Sequence, residues 1–205
     1  MYKKISLFST GLLSASFGAA LFSSAAMGMD AFSTFSLGIA DQLQLSFGIS
    51  CIVAGLLLLT VLFLFDRNFV KIGSVLYAFG LGSLIDFWFK LFPYFLPLTG
   101  FSYLKLFIGI LFFSIGIALY ICADVGSGAV EAFSIFLAQK TSQDMGIVRL
   151  LLDVFFLSLG ILLGASIGVG TILGVILIGP FVSFFVKLLT KILEKESFFL
   201  SKKWE

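Results

Sequence analysis

Residues 116–136, GIALYICADVGSGAVEAFSIF, decide how this chain is read, because the same pattern stands ninety-eight residues earlier as GAALFSSAAMGMDAFSTFSLG at 18–38. Aligned without gaps at that offset, Ser16, Gly18, Ala20, Leu21, Ala25, Gly28, Ala31, Phe35, Ser36 and Ala40 fall on Ser114, Gly116, Ala118, Leu119, Ala123, Gly126, Ala129, Phe133, Ser134 and Ala138. The match runs on through Gly48-Ile49 onto Gly146-Ile147. After one deletion, Gly73-Ser74-Val75 meets Gly170-Thr171-Ile172 and Gly82 meets Gly179. A fixed-period self-match of this kind reads as duplication. The chain divides into a first unit, 1–98, a second, 99–193, and a cytoplasmic tail, 194–205.

The bulk composition names the solvent. Of 205 residues, 60% are hydrophobic and 12% charged, with a mean hydropathy of +1.17. A chain of this length cannot hide so much apolar surface in one water-soluble core, so the lipid bilayer is its partner. The net charge is +2, and the basic residues stand singly at segment ends. Nucleic acid is therefore not an expected partner. There is no His, and Cys51 and Cys122 sit in separate apolar runs. No metal site, cofactor or enzymatic chemistry is expected, since no nucleophile with its base stands out. The N-terminal Lys3-Lys4, apolar run and Ser23-Ser24-Ala25-Ala26 have the form of a secretory signal. Their counterpart lies in mid-chain, so the first copy reads as a retained transmembrane helix.

Six runs, at about 5–27, 47–65, 69–92, 101–122, 146–165 and 168–193, approach the ~20 residues that span a hydrocarbon core of ~30 Å. Between the first and second, and between the fourth and fifth, lie helix-like segments at 30–44 and 128–144. These are too short to span and too apolar for a solvated loop, so each reads as a short re-entrant or interfacial helix. An eight-span alternative, in which both short helices cross, distributes charge equally well; length favours six. With the N-terminus inside, eleven basic residues lie on the cytoplasmic side and Lys90 and Lys105 outside, as basic residues prefer. Both termini are then cytoplasmic. Three spans per copy make the copies inverted, a recurring plan of secondary transporters with the solute site between the halves. The expected fold is all-α transmembrane: six spanning helices as two inverted three-helix repeats.

Each short helix opens at a glycine turn, Gly28-Met29-Asp30 and Gly126-Ser127-Gly128, with acids nearby at Asp30, Asp124 and Glu131. In the plain reading the glycine breaks the helix and the acid caps the next one. In the functional reading Gly28, Gly126, Ser127 and Gly128 offer backbone donors, while Asp30 and Glu131 hold a polar ligand or coupling ion. Arg149 and Asp153 stand four apart inside the fifth span, spaced for one helix face. A charged residue in a span is a functional candidate. Asp86 and Lys90 repeat the spacing near the outer end of the third span, where Trp88, Tyr94 and Tyr103 suggest an aromatic belt. Gly160, Gly164 and Gly168 read as a packing stripe, which permits a homodimer.

At Gly126-Ser127-Gly128-Ala129-Val130-Glu131, Gly168-Val169-Gly170-Thr171 and Gly179-Pro180, the sequence resembles the YczE/YyaS/YitT family of bacterial membrane proteins across essentially its whole length. Members typically carry Gly-x-Gly-Pro-Trp-Asp at the first place, where Ala129, Val130 and Glu131 stand here. The acid that often follows Gly-Pro is Ser183 here, whereas the first copy has Asp86. The resemblance implies a multispanning protein of the bacterial cytoplasmic membrane. Taken with the duplication, it leaves two expectations: a transporter-like protein that binds or moves a small solute between inverted repeats, or a substrate-capture subunit that works with partner membrane proteins.

Overall fold

The computed structural model describes residues 2–95, 101–123, 125–126, 128–143 and 145–201, of which residues 2, 95, 145, 146 and 194–201 are described by backbone alone. Asp124 and Ser127 lie outside the described residues. Those residues form helices α1 (Tyr2–Ser24), α2 (Ala31–Leu43), α3 (Phe47–Phe65), α4 (Ile72–Phe95), α5 (Ser102–Ala123), α6 (Ala129–Thr141), α7 (Met145–Leu162) and α8 (Val169–Ser201), with a 3₁₀ turn at Arg67–Phe69. By length and composition, five of them, α1, α3, α4, α5 and α8, can cross a membrane.

The two short helices keep the offset of the sequence match. α2 covers 31–43 and α6 covers 129–141, both bounds ninety-eight apart. Their N-caps, Asp30 and Gly128, share one extended conformation, and their C-caps, Gln44 and Ser142, both turn left-handed at φ 54°. At 13 residues each is about 20 Å long, too short to cross a ~30 Å core. Several helix ends depart from expectation, α4 among them, which runs 72–95 rather than 69–92. α1 stops at Ser24, where Ala26 turns left-handed (φ 54°). α7, expected at 146–165, closes at Leu162 because Gly164 takes φ +92° and the Ala165 amide bonds back to the Gly160 carbonyl, a Schellman-type stop. α8 runs to Ser201 rather than ending near 193.

At the centre α1 lies antiparallel along α5. Gly18 faces the backbone of Gly109 and Phe113, and Gly116 faces that of Gly11 and Ala15. Each contact is the other moved by ninety-eight residues. A Cβ at Gly18 or Gly116 would strike main chain rather than a movable side chain, so glycine here sets the helix separation. Ser14 adds a bond from its hydroxyl to the Phe112 carbonyl, 2.8 Å. Around this pair α1 packs on α4 and α5 on α8, while α2 packs on α7 and α3 on α6. The glycine turns are pinned the same way. Gly28, at φ +91°, lies against Gly168 and Thr171 at the start of α8, and the Gly170 amide donates to the Met27 carbonyl at 2.7 Å. Gly126 lies against Gly73 and Ser74 at the start of α4.

The halves differ where their last helices meet. Gly48 and Gly82 bring α3 and α4 into backbone contact, and Asp86 accepts from the Ser46 hydroxyl and from the Gly48 amide at 2.9 Å. Asp86 therefore ties α4 to the start of α3, a role the spacing to Lys90 did not suggest. Trp88 likewise turns inward, donating to Ser16 Oγ at 3.1 Å and packing on Phe17, while Tyr94 and Tyr103 are exposed. In the second half α8 does not lie along α7 in this way, and Gly179, the counterpart of Gly82, has nothing within 4 Å of its would-be Cβ.

Two outcomes are expected for the purified protein. Gly18→Ala or Gly116→Ala forces α1 off α5 and should cost about 1–3 kcal/mol or more, lowering the thermal midpoint and the monodisperse yield, whereas Gly179→Ala should leave both unchanged. Asp86→Ala should lose about 1–3 kcal/mol by orphaning the amide of buried Gly48, read by the same melt, with Asp86→Asn recovering part of it.

Candidate functional site

Four charged residues, Asp30, Glu131, Arg149 and Asp153, converge. Asp30 ends the link from α1 and caps α2, its carboxylate accepting from the Ser33 amide at 3.3 Å. It is 8% exposed. Burial pushes its carboxyl above the ordinary range, against the pull of the Ser33 hydrogen bonds and the charge of Arg149. Glu131 sits in the first turn of α6, and Arg149 one turn along its neighbour α7 reaches it, Nη1 to Oε1 at 3.0 Å. The same guanidinium holds Asp153 through Nε at 3.2 Å. One cation thus bridges two acids on two helices, and the expected local pair Arg149–Asp153 is half of a longer connection.

Two cavities meet at this group. The larger, about 460 Å³, is walled by Asp30, Glu131, Arg149 and Asp153 together with apolar residues of α5, α7 and α8, among them Ile117, Leu150, Val175 and Ile178. The smaller, about 60 Å³, shares Asp30, Ile117, Glu131 and Arg149 and continues along α1, α3 and α4. Their linings correspond through the internal match. Ser33, Cys51, Gly55, Tyr77, Ala78 and Leu81 of the smaller cavity stand where Glu131, Arg149, Asp153, Gly174, Val175 and Ile178 stand in the larger. The size difference follows from that comparison: the first half carries a tyrosine ring where the second has only Gly174, and α3 and α4 are drawn together where α7 and α8 are apart.

The expected site residues are not all drawn in. Asp30, Glu131, Arg149 and Asp153 share the larger cavity. Gly128 lines the smaller one. Gly28 and Gly126 instead occupy packed turns against α8 and α4, so their amides are parts of a joint rather than an open cradle. Two tyrosines escaped notice in the sequence, where each looks like ordinary apolar filling. Tyr77 and Tyr120 lie against each other with ring centroids 4.3 Å apart and planes tilted by 51°. The Tyr120 hydroxyl, fully buried, faces Gly128 and Glu131 without a well-formed hydrogen bond among the described residues. The signal available was position: Tyr120 lies four residues before the acid-and-glycine turn.

Comparison with known proteins agrees with a membrane protein and leaves its activity open. Over 177 residues, 85% of this chain and 81% of the relative, it is 29% identical to the uncharacterized membrane protein YczE of Bacillus subtilis (strain 168). Over 85 residues, 42% of this chain and 39% of the relative, it is 33% identical to an uncharacterized protein of Haemophilus influenzae (strain ATCC 51907 / DSM 11121 / KW20 / Rd). No solved structure matches. Residues 2–187 match the family of unknown function DUF6198; with the YczE-like membrane proteins beside it, this is the family to which the chain belongs.

Proposed function

We propose that this protein binds and moves a small solute across the bacterial cytoplasmic membrane, at the interface of two inverted repeats with six spans, α7 being the sixth. The observation that carries the reading is the pair of cavities lined by equivalent residues of the two halves, one open and one nearly closed, meeting at one charged group. Antiparallel packing of the equivalent helices α1 and α5 supports the inversion. So do the cross-half contacts, in which α2 on α7 corresponds to α3 on α6. In inverted-repeat transporters the solute sits near the midplane and the halves exchange conformations around it. Here the half containing α3 and α4 has the closed arrangement and the half containing α7 and α8 the open one. Exchange would bring Gly179 toward α7 as Gly82 lies on α3, and would free Tyr77 from its place.

The distribution of basic residues favours both termini in the cytoplasm, and on that orientation the larger cavity faces inward, since it runs from Asp30 past Arg149 near the start of α7 to Ser183 on α8. α2 and α6 enter from opposite sides without crossing. The charged group is tolerated at that depth because it lines a wet cavity and is paired.

Side-specific labelling tests the arrangement. A Cys at Ser183 should react with a membrane-impermeant thiol reagent in inside-out vesicles and not in intact cells, in a Cys122→Ser background. A Cys at Leu81 should be slow from both sides at rest and, when it reacts, do so only from outside. Labelling of both positions from the same face would overturn the inverted arrangement and the route through it.

A further inference from the structure

Resting on the solute-site reading above, we propose that the larger cavity selects an organic cation, an ammonium group carried on an apolar body, and that Asp30 is the carboxylate that receives it. The charge balance of the site leads there. Three carboxylates, Asp30, Glu131 and Asp153, face one guanidinium. Arg149 spends Nη1 on Glu131 and Nε on Asp153, which leaves Asp30 with the Ser33 amide as its hydrogen-bond partner among the described residues. A carboxylate that is 8% exposed in such surroundings calls for a proton or a counter-cation.

The same geometry argues against an anionic solute. Helix starts are the usual anion sites, since their free amides carry partial positive charge. Both such ends here already face an acid of the chain itself: Asp30 accepts from the first turn of α2, and the Glu131 carboxylate lies over Gly128 at the start of α6, setting a negative charge there without a capping hydrogen bond. The guanidinium, the other natural anion receptor, is already engaged by two carboxylates. What remains open is an acidic end at Asp30 and a wall of Ile117, Val175, Ile178 and Val182 along the rest of the space. At about 460 Å³ the space falls within the ~300–1,000 Å³ typical of small-molecule sites, larger than a bare metal ion needs.

Three probes with one ring skeleton and different heads separate the possibilities: phenethylammonium, phenylacetate and 2-phenylethanol, titrated calorimetrically into the purified full chain. Phenethylammonium should bind saturably, and Asp30→Asn should weaken it about tenfold or more, while Asn keeps the helix cap and hence the fold. Gly179→Trp, at a cavity-lining position where an added Cβ meets nothing within 4 Å, should fill the cavity and abolish binding with an unchanged thermal midpoint. Phenylacetate binding as tightly as the ammonium, or Asp30→Asn leaving ammonium affinity unchanged while Gly179→Trp removes it, would overturn the cation assignment and leave the cavity reading standing. Absence of saturable binding for all three probes, or binding indifferent to Gly179→Trp, would overturn the cavity reading as well.

Discussion

The close crossing of α1 and α5 is the constraint on which the other helices depend. In lipid there is no hydrophobic penalty for separating two apolar helices, so association has to come from packing and from polar contacts. Glycines at 11, 18, 109 and 116 let the two backbones approach until main chain meets main chain. This contact fixes the separation of the halves, and α4 and α8 are arranged on its flanks. The glycine turns at 28 and 126 then reach across to the starts of α8 and α4. Each half is therefore completed in part by the other.

A second constraint is electrical. A guanidinium and three carboxylates in an apolar surrounding are costly unless they are paired or hydrated. Arg149 meets that demand by reaching two acids at once, one on its own helix and one on α6. The pairing also has a mechanical side, because it links the first turn of α6 to α7 next to the cavity. Asp30 completes the group from the other half, at the cap of α2. The first half has no equivalent network: Ser33, Cys51 and Gly55 stand at the positions of Glu131, Arg149 and Asp153. Charge is thus concentrated on one side of a frame that is otherwise built twice.

Much of the frame is legible in the sequence because it is written in small residues that recur at one offset. Ser16, Gly18, Gly28 and their partners mark the duplication, and the shortness of α2 and α6 follows from their polar and glycine boundaries. The helix cap at Asp30 and the spacing of Arg149 and Asp153 are local features, and local features survive translation from sequence to structure. The rest depends on contacts between distant segments. That Arg149 also reaches Glu131, eighteen residues away, is set by how α6 leans on α7. Asp86 binding Ser46 instead of following its i, i+4 spacing depends on α3 and α4 touching at Gly48 and Gly82. Tyr77 carries no motif at all; its role comes from putting a full ring at the position that Gly174 holds in the other half. Similarly, Gly164 looks like a member of a packing stripe, and it is its left-handed backbone that ends α7 early.

The glycine seam between α1 and α5 also bears on ancestry. Because Gly18 meets Gly109 and Gly116 meets Gly11, the face that one half offers is complementary to a copy of itself turned end over end. A half-length polypeptide carrying only that seam would have found its mate in a second molecule of the same kind, provided both orientations were inserted into the membrane. On the inverted arrangement proposed above, fusion would remove the need to insert one sequence in two directions and would release the two sides to diverge, as the acid-rich half with its open chamber differs from the tyrosine-filled one.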